Sequence, residues 1–258
     1  MLTSTATLRH ITFAIAVLAG AVTATHAMAS PLDWVAGERV QGNGTIKKQA
    51  RTIGHFTALS LSLPGDVELR IGNTEGITIE TDDNLLPLIE TVIEDGMLQV
   101  RPIKRNLNMQ TRHMKITLNA KTIERLAVGG SGSITSDRLR GDKLTFHIGG
   151  SGSINVKGID GQAVAVSLGG SGDFTSGPGT IGTLSVNIGG SGDVDAGQLK
   201  SGEASVSVAG SGAATVWASE RLSVSIAGSG DVNYFGDPQV SRSVVGSGGT
   251  KKLGSAPR

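Results

Sequence analysis

The sequence predicts an all-β protein whose C-terminal half is a single-stranded parallel β-helix, and three observations support this prediction. Gly-Ser-Gly recurs seven times, at spacings of 20, 20, 20, 20, 18 and 18 residues. The segments between these tripeptides alternate apolar and polar side chains, which is typical of strands. Only 3% of the residues are aromatic, so the interior must be narrow and aliphatic. A period of about 20 residues indicates a solenoid, because a propeller blade needs roughly 40.

The apolar residues of successive repeats stay in register when the repeats are aligned. One column holds Leu144, Val164, Leu184, Ala204 and Leu222, a second Ile148, Leu168, Ile188, Val208 and Ile226, and a third Ile154, Phe174, Val194, Ala214 and Val232. Equal spacing places each side chain on its equivalent in the next coil. We therefore predict coils of 18–20 residues with three short strands each, of which the arc at Leu139, Ile159 and Leu199 is the least regular. The absence of a strict six-residue repeat favours a right-handed coil.

The first glycine of each tripeptide is predicted to form a corner of the coil. A sharp turn stacked on identical turns leaves little room for a Cβ and often needs positive φ. The predicted structural corners are Gly130, Gly150, Gly170, Gly190, Gly210, Gly228 and Gly246.

The order of segments along the chain follows from composition. Arg9, the apolar run over residues 11–21 and the small residues Ala27 and Ala29 indicate a signal peptide over residues 1–29. Residues 30–44 are predicted to be a flexible leader, and residues 45–126 a β-rich region that caps the solenoid. A short helical turn is expected between Asn84 and Thr91. The β-helix is assigned to residues 127–250 and a C-terminal tail to residues 251–258.

Composition excludes several classes of function. The chain has no cysteine, so disulfides, thiolate metal sites and lipid-carrying cysteines are excluded. Removal of the signal takes away Arg9 and no acid, which leaves 22 basic and 22 acidic residues. A formal charge of zero predicts no nucleic-acid partner. No further apolar run is long enough to cross a membrane, so we expect an exported protein of the periplasm, the outer surface or the extracellular space.

In the order and spacing of several short segments, the chain resembles the putative auto-transporter adhesin family with a head GIN domain. The resemblance covers about residues 42–249. It rests on Gly65-Asp66-Val67-Glu68-Leu69, on Asp83-Asn84-Leu85-Leu86, on Val92-Ile93-Glu94-Asp95-Gly96 and on the Gly-Ser-Gly-Asp-Val corners at 190–194 and 228–232. The resemblance implies a secreted bacterial β-helix protein of a family that carries the label adhesin.

The sequence offers no catalytic residue. No corner serine lies in a Gly-x-Ser-x-Gly elbow. Asp173 and Asp193 occupy equivalent positions of adjacent coils, so one hypothesis is a calcium ion between them; the alternative is that they accept backbone N–H bonds. No other cofactor is expected.

The outward positions between the buried columns form the candidate contact face. They are His147, Ser167, Asn187, Ser207 and Ser225, beside a second row of Thr145, Ala165, Ser185, Ser205 and Ser223. Three functions stay open: a non-catalytic module that binds an envelope or surface glycan or a protein, a periplasmic structural element that self-associates through the solenoid ends, and a carbohydrate-active enzyme.

Overall fold

A computed structural model describes residues 38–257, and its regular structure is almost entirely β-strand. The predicted signal peptide and the first part of the predicted leader lie outside these residues. The first strands are β1 (Arg39–Gln41), β2 (Ile46–Arg51), β3 (Ala58–Leu61), β4 (Asp66–Ile71), β5 (Gly76–Asp82), β6 (Ile89–Glu94), β7 (Met97–Pro102), β8 (Asn108–Gln110), β9 (Met114–Ala120) and β10 (Arg125–Val128). A 3₁₀ helix at Leu86–Leu88 confirms the helical turn expected there.

The later strands belong to the repeats. They are β11 (Ser133–Ser136), β12 (Leu139–Ile148), β13 (Ser153–Val156), β14 (Ile159–Leu168), β15 (Asp173–Ser176), β16 (Gly179–Ile188), β17 (Val194–Gly210), β18 (Ala213–Gly228), β19 (Asp231–Phe235), β20 (Gln239–Gly246) and β21 (Thr250–Gly254). Within residues 38–257 no helix has the length and apolar character needed to cross a bilayer.

The strands of successive coils stack in two parallel sheets that enclose the core. The first sheet runs β7, β3, β10, β12, β14, β16, β17, β18, β20 in space. The second sheet runs β9, β4, β11, β13, β15, β17, β18, β19, β21, because β17 and β18 pass through both sheets. The predicted all-β parallel solenoid is confirmed.

Strand register confirms the predicted columns. Leu144 pairs with Val164 and Val164 with Leu184, in the first sheet. Ile154 pairs with Phe174 in the second sheet. The side chains of all three columns are buried from coil to coil. Because each buried aliphatic side chain contributes about 1.5–3 kcal/mol, the columns are the main source of stability.

The coils formed by β10 to β15 contain two strands each and not the three that we predicted, and β17 and β18 each run through both sheets as one strand. In β12, Leu139 and Leu144 are both buried, and the four residues between them are not. The two leucines are five positions apart. Side chains of a straight strand alternate, so an odd separation requires a bend between two inward residues. The predicted third strand is therefore the first part of a long strand that bends, and its pairing with β14 is interrupted only between Gly141 and Lys143.

The corner glycines lie directly under the carbonyl groups of the preceding coil. A Cβ on Gly150 would lie 2.3 Å from the Gly130 oxygen, and one on Gly170 the same distance from the Gly150 oxygen. That oxygen also accepts the N–H of the next coil's serine, as in the 3.1 Å bond from Ser171 to Gly150. The hydrogen bond that joins two corners thus occupies the space of a side chain.

Positive φ applies to only part of the series. Gly210, Gly228 and Gly246 have φ between +127° and +146°, whereas the four earlier corners do not adopt this conformation. Gly130 is an exception in space as well, because a Cβ there would meet no atom closer than 3.7 Å. Lack of room explains the corner glycines more generally than backbone conformation does.

The solenoid begins earlier than the predicted boundary at residue 127. Strands β3 and β4 already form a coil on which β10 and β11 stack in parallel. Beyond that coil lies the one made by β7 and β9. The cap proper consists of β5 and β6, which pair antiparallel to β9 and β7, and of β2, which pairs antiparallel to β5. The predicted leader is also partly regular, since β1 pairs with β8.

A buried carboxylate attaches the chain before β2 to this cap. Asp82 is 3% exposed and accepts hydrogen bonds from the Gly44 N–H at 2.5 Å and the Thr111 hydroxyl at 2.6 Å. The Thr111 bond is the main reason that the pKa of Asp82 lies below its usual range. The backbone at Gly42 passes so close to this carboxylate that a Cβ on Gly42 would lie 2.2 Å from Oδ2 of Asp82.

The C-terminal end has no comparable cap within the described residues. The predicted tail is wrong as far as Gly254, because residues 250–254 form β21 against β19. Every residue of β20 is exposed. Val240 and Val244, which continue two buried columns, are 41% and 38% exposed.

Candidate functional site

The predicted contact face is a continuous strip on the outside of the first sheet. His147 pairs with Ser167, Ser167 with Asn187 and Asn187 with Ser207 across adjacent strands. Ser225 follows on β18. We call this row and its neighbour, Thr145, Ala165, Ser185, Ser205 and Ser223, the polar face. All its residues are exposed or half-buried.

A third row that the prediction did not include borders the polar face. It consists of Gly149, Gly169, Gly189, Ala209 and Ala227, all of them exposed. Because these residues have little or no side chain, a shallow groove of about 500 Å³ follows the row beside His147, Ser167, Asn187 and Ser207. The sequence carries a signal for this groove, namely the additional glycine before three of the Gly-Ser-Gly tripeptides from Gly149 onward.

The chemistry of the polar face is that of neutral hydrogen-bonding groups. Its hydroxyls both donate and accept, and Asn187 offers an amide. His147 is the one titratable side chain among these residues, and no carboxylate within the face could orient it. The arrangement therefore lacks the orienting group that holds a histidine base against an activated serine. It can bind a partner that presents repeated hydroxyl or amide groups.

The aspartates at the corners serve the backbone of the next coil. Asp173 accepts the N–H of Asp193 at 3.2 Å, and Asp193 accepts the N–H of Ala213 at 2.8 Å. Asp231 accepts the N–H of Gly249 in the same way. These bonds favour the alternative in which the carboxylates stabilise the turns. Across the described residues no group of three or more His, Asp or Glu side chains could hold a metal.

Several of the basic residues between Arg101 and Lys115 pair with carboxylates. Arg101 lies 2.8 Å from Glu90 and 3.0 Å from Glu94, and these two carboxylates raise its pKa. Lys104 and Lys115 pair with Glu38 and Glu68 in the same part of the molecule. These exposed pairs are worth little in stability but leave no strong positive field for a polyanion.

A groove of about 630 Å³ carries both signs of charge. Glu124, Arg125, Asp142 and Lys143 line it, and all four are exposed. A glycosidase needs one carboxyl that stays protonated at neutral pH, which an apolar environment provides. Exposed carboxylates beside cations lack that environment, so the groove does not support the hypothesis of a carbohydrate-active enzyme.

Together, the stacked coils and the neutral outer strip define the class of protein, a parallel β-solenoid that presents a repeated row of small polar side chains. The chain belongs to the family described as "Putative auto-transporter adhesin, head GIN domain", whose model matches residues 55–238. The resemblance predicted from the sequence is thereby confirmed. No curated protein matches the chain.

Solved structures share the fold. A protein from Bacteroides fragilis titled a putative adhesin is 23% identical with a TM-score of 0.77, covering 83% of this chain and 100% of its own. A protein from Parabacteroides distasonis titled a putative lipid binding protein is 26% identical with a TM-score of 0.70, covering 84% and 100%. A putative adhesin from Parabacteroides merdae is 20% identical with a TM-score of 0.65, again covering 84% and 100%.

Proposed function

We propose that the chain is an exported adhesion module of the bacterial envelope that binds a surface glycan through its polar face. The observation that carries the proposal is the strand register, which places His147, Ser167, Asn187 and Ser207 side by side across four consecutive strands. Family membership supports an adhesin-like role, and the predicted signal peptide supports export.

The geometry of the strip favours an extended ligand. Neighbouring strands lie about 4.8 Å apart, so the face repeats the same polar group at a short and regular interval. Serine side chains lose little rotamer entropy when a partner orders them. The adjacent row of Gly149, Gly169 and Gly189 lets such a partner approach the backbone. A polysaccharide chain, with hydroxyls along its whole length, fits these requirements.

Binding of the purified mature chain to a panel of envelope polysaccharides tests the proposal. Asn187→Glu with Ser207→Glu adds charge and bulk to the centre of the face, and should weaken glycan binding by about tenfold or more, equivalent to 1.4 kcal/mol. Thr175→Glu is the matched control, because Thr175 is an exposed outward residue of the second sheet. Anionic lipid vesicles complete the panel, since one similar protein is titled lipid binding.

Two results would contradict the proposal. One is equal binding by the control and the double variant, which would place the contact elsewhere. The other is that no polysaccharide of the panel binds while vesicles do, which would replace the glycan with a lipid.

Self-association through the solenoid ends is the second candidate, and the open C-terminal coil is the observation in its favour. The charges of the ends oppose it. The outermost strand of the cap, β2, carries Lys47, Lys48 and Arg51. At the other end, β21 carries Lys251 and Lys252, so both ends are basic. Sedimentation velocity across a hundredfold range of concentration distinguishes the two candidates, because end-to-end assembly requires growth in size.

A further inference from the structure

Two inward columns of the solenoid end in a basic residue. In the first sheet, the buried column that contains Val206 and Val224 continues at Arg242. In the second sheet, the column that contains Val216 continues through Tyr234 to Lys252. Lys252 is paired with Asp237, whereas Arg242 has no ion pair among the residues that the structure describes. An apolar interior thus ends at an unpaired guanidinium.

The strand that carries Arg242 also has a free edge. β20 pairs with β18 on one side, and no other described strand pairs with it. Val240 and Val244 flank Arg242 on the same face and are 41% and 38% exposed. Free backbone groups and exposed valines are the features to which an extended segment binds by strand addition.

We propose that this edge docks an extended acidic segment of another protein. The segment adds to β20 as a further strand, with a carboxylate against Arg242 and apolar side chains on Val240 and Val244. A wholly apolar segment is disfavoured, because it would bury the guanidinium without a partner. A lipid surface is disfavoured as well, because hydrocarbon cannot accept or donate the hydrogen bonds of the free edge.

A second copy of the chain is a poor occupant of this edge. Its free strands at the opposite end are β6 and β2. The residues of β6 that face the core side are Ile89, Thr91 and Ile93, so none of them offers a carboxylate to Arg242. Two C-terminal ends placed together would pair two β20 strands, and neither strand has an acidic residue for the other's Arg242. The proposal does not depend on the polar face, which lies on other residues.

The experiment uses the full mature chain and two labelled peptides, Thr-Val-Thr-Glu-Thr-Val-Thr and the same peptide with Lys in place of Glu. Fluorescence anisotropy measures binding, and hydrogen exchange measures protection of the amides of Gln239–Gly246. We expect the Glu peptide to bind about tenfold more tightly than the Lys peptide. Arg242→Glu should reverse this order. Lys251→Glu, which changes an outward charge of the same coil, should leave the order unchanged.

The proposal is overturned if neither peptide binds, if Arg242→Glu keeps the original order, or if Lys251→Glu reverses it equally. Protection of β20 by phosphatidylglycerol vesicles and not by the Glu peptide would also overturn it, in favour of a lipid. Protection that rises with protein concentration alone would overturn it in favour of a second copy. Thermal melting of both variants confirms that each is folded when it is tested.

Discussion

The two ends of the solenoid terminate in different ways. At the N-terminal end the chain reverses strand direction, so that β5 and β6 cover the last parallel coil and its inward residues are fully buried. At the C-terminal end the parallel direction continues to the last described strand, and the inward residues of β20 are exposed. Antiparallel strands cover the N-terminal end, whereas the C-terminal end exposes a strand that contains Arg242.

Among the described residues, the C-terminal coil differs in chemistry from the coils that precede it. An uncovered stack of identical coils would expose apolar side chains and free strand edges, which promotes aggregation. Arg242 occupies the position at which the four preceding coils have valine, and basic residues at an edge oppose the addition of a like strand. At the N-terminal end, Asp82 and its hydrogen bonds attach the segment that precedes the cap.

The largest expected effect comes from a Cβ at a corner in the middle of the stack. Gly170→Ala would place a Cβ 2.3 Å from the Gly150 oxygen, which neighbouring coils prevent from moving. We expect a loss of about 4 kcal/mol or more in the free energy of unfolding, measured with urea. Gly169→Ala is the matched control, because its nearest contact is 3.9 Å away; we expect a change within about 0.5 kcal/mol.

The same substitution at the open end sharpens the comparison. A Cβ on Gly246 would be equally close, 2.1 Å from the Gly228 oxygen. The last coil has a neighbour on one side only, so it can separate locally and the overall stability should fall less than in Gly170→Ala. Equal losses at the two corners would show that the C-terminal coil is as rigid as the middle of the stack.

A smaller difference is expected along one inward column. Val208→Ala removes two methyl groups from a side chain that is 1% exposed, and should cost about 1–3 kcal/mol. Val244→Ala makes the same change in the same column at 38% exposure, and should cost less than about 0.5 kcal/mol. Chemical denaturation of both variants measures the ratio, and similar losses would mean that the end is covered in solution.

The smallest effect is local and depends on pH. Because its hydrogen bonds lower the pKa of Asp82 in the folded state, their stabilisation is present above the usual carboxyl range. It is lost as the pH falls from about 4 towards the lowered pKa. Hydrogen exchange of residues 38–51 should therefore accelerate in acid before the coils unfold.

Asp82→Asn removes the charge at every pH, so it should accelerate the same exchange at neutral pH and flatten its pH dependence. Asp237→Asn is the control at the other end, where the exposed pair with Lys252 lowers the pKa of Asp237. It should leave residues 38–51 unchanged. If hydrogen exchange accelerates in acid at both ends together, the hydrogen bonds of Asp82 do not hold the N-terminal segment more firmly than the exposed pair of Asp237 and Lys252 holds the C-terminal end.

Much of the solenoid could be predicted from the sequence because its order is local and repeated. The spacing from Ile148 to Leu168 to Ile188 is both a sequence period and a stacking distance, so alternation and period together place these residues in one column. The polar face follows from the same alternation. Its groove was missed because glycines were interpreted as corners alone, although Gly149 lies one residue before the corner.

What could not be predicted depends on contacts between segments far apart in the chain. No period marks the coils of the N-terminal half, and β3 lies between β7 and β10, so their spatial order differs from their chain order. The role of Asp82 depends on Thr111, 29 positions later. The bend in β12 required coordinates as well, because glycine at residue 141 permits several paths.

The sequence by itself determined the coil, its narrow aliphatic interior and its outward polar strip, because in a repeat each residue meets its own equivalents. Only the tertiary structure decided where the repeat stops and how each end is finished. An interior coil has a similar coil on each side, so the repeated sequence also specifies the neighbours of each residue. An end has a neighbour on one side only, and nothing in a period specifies what replaces the missing one.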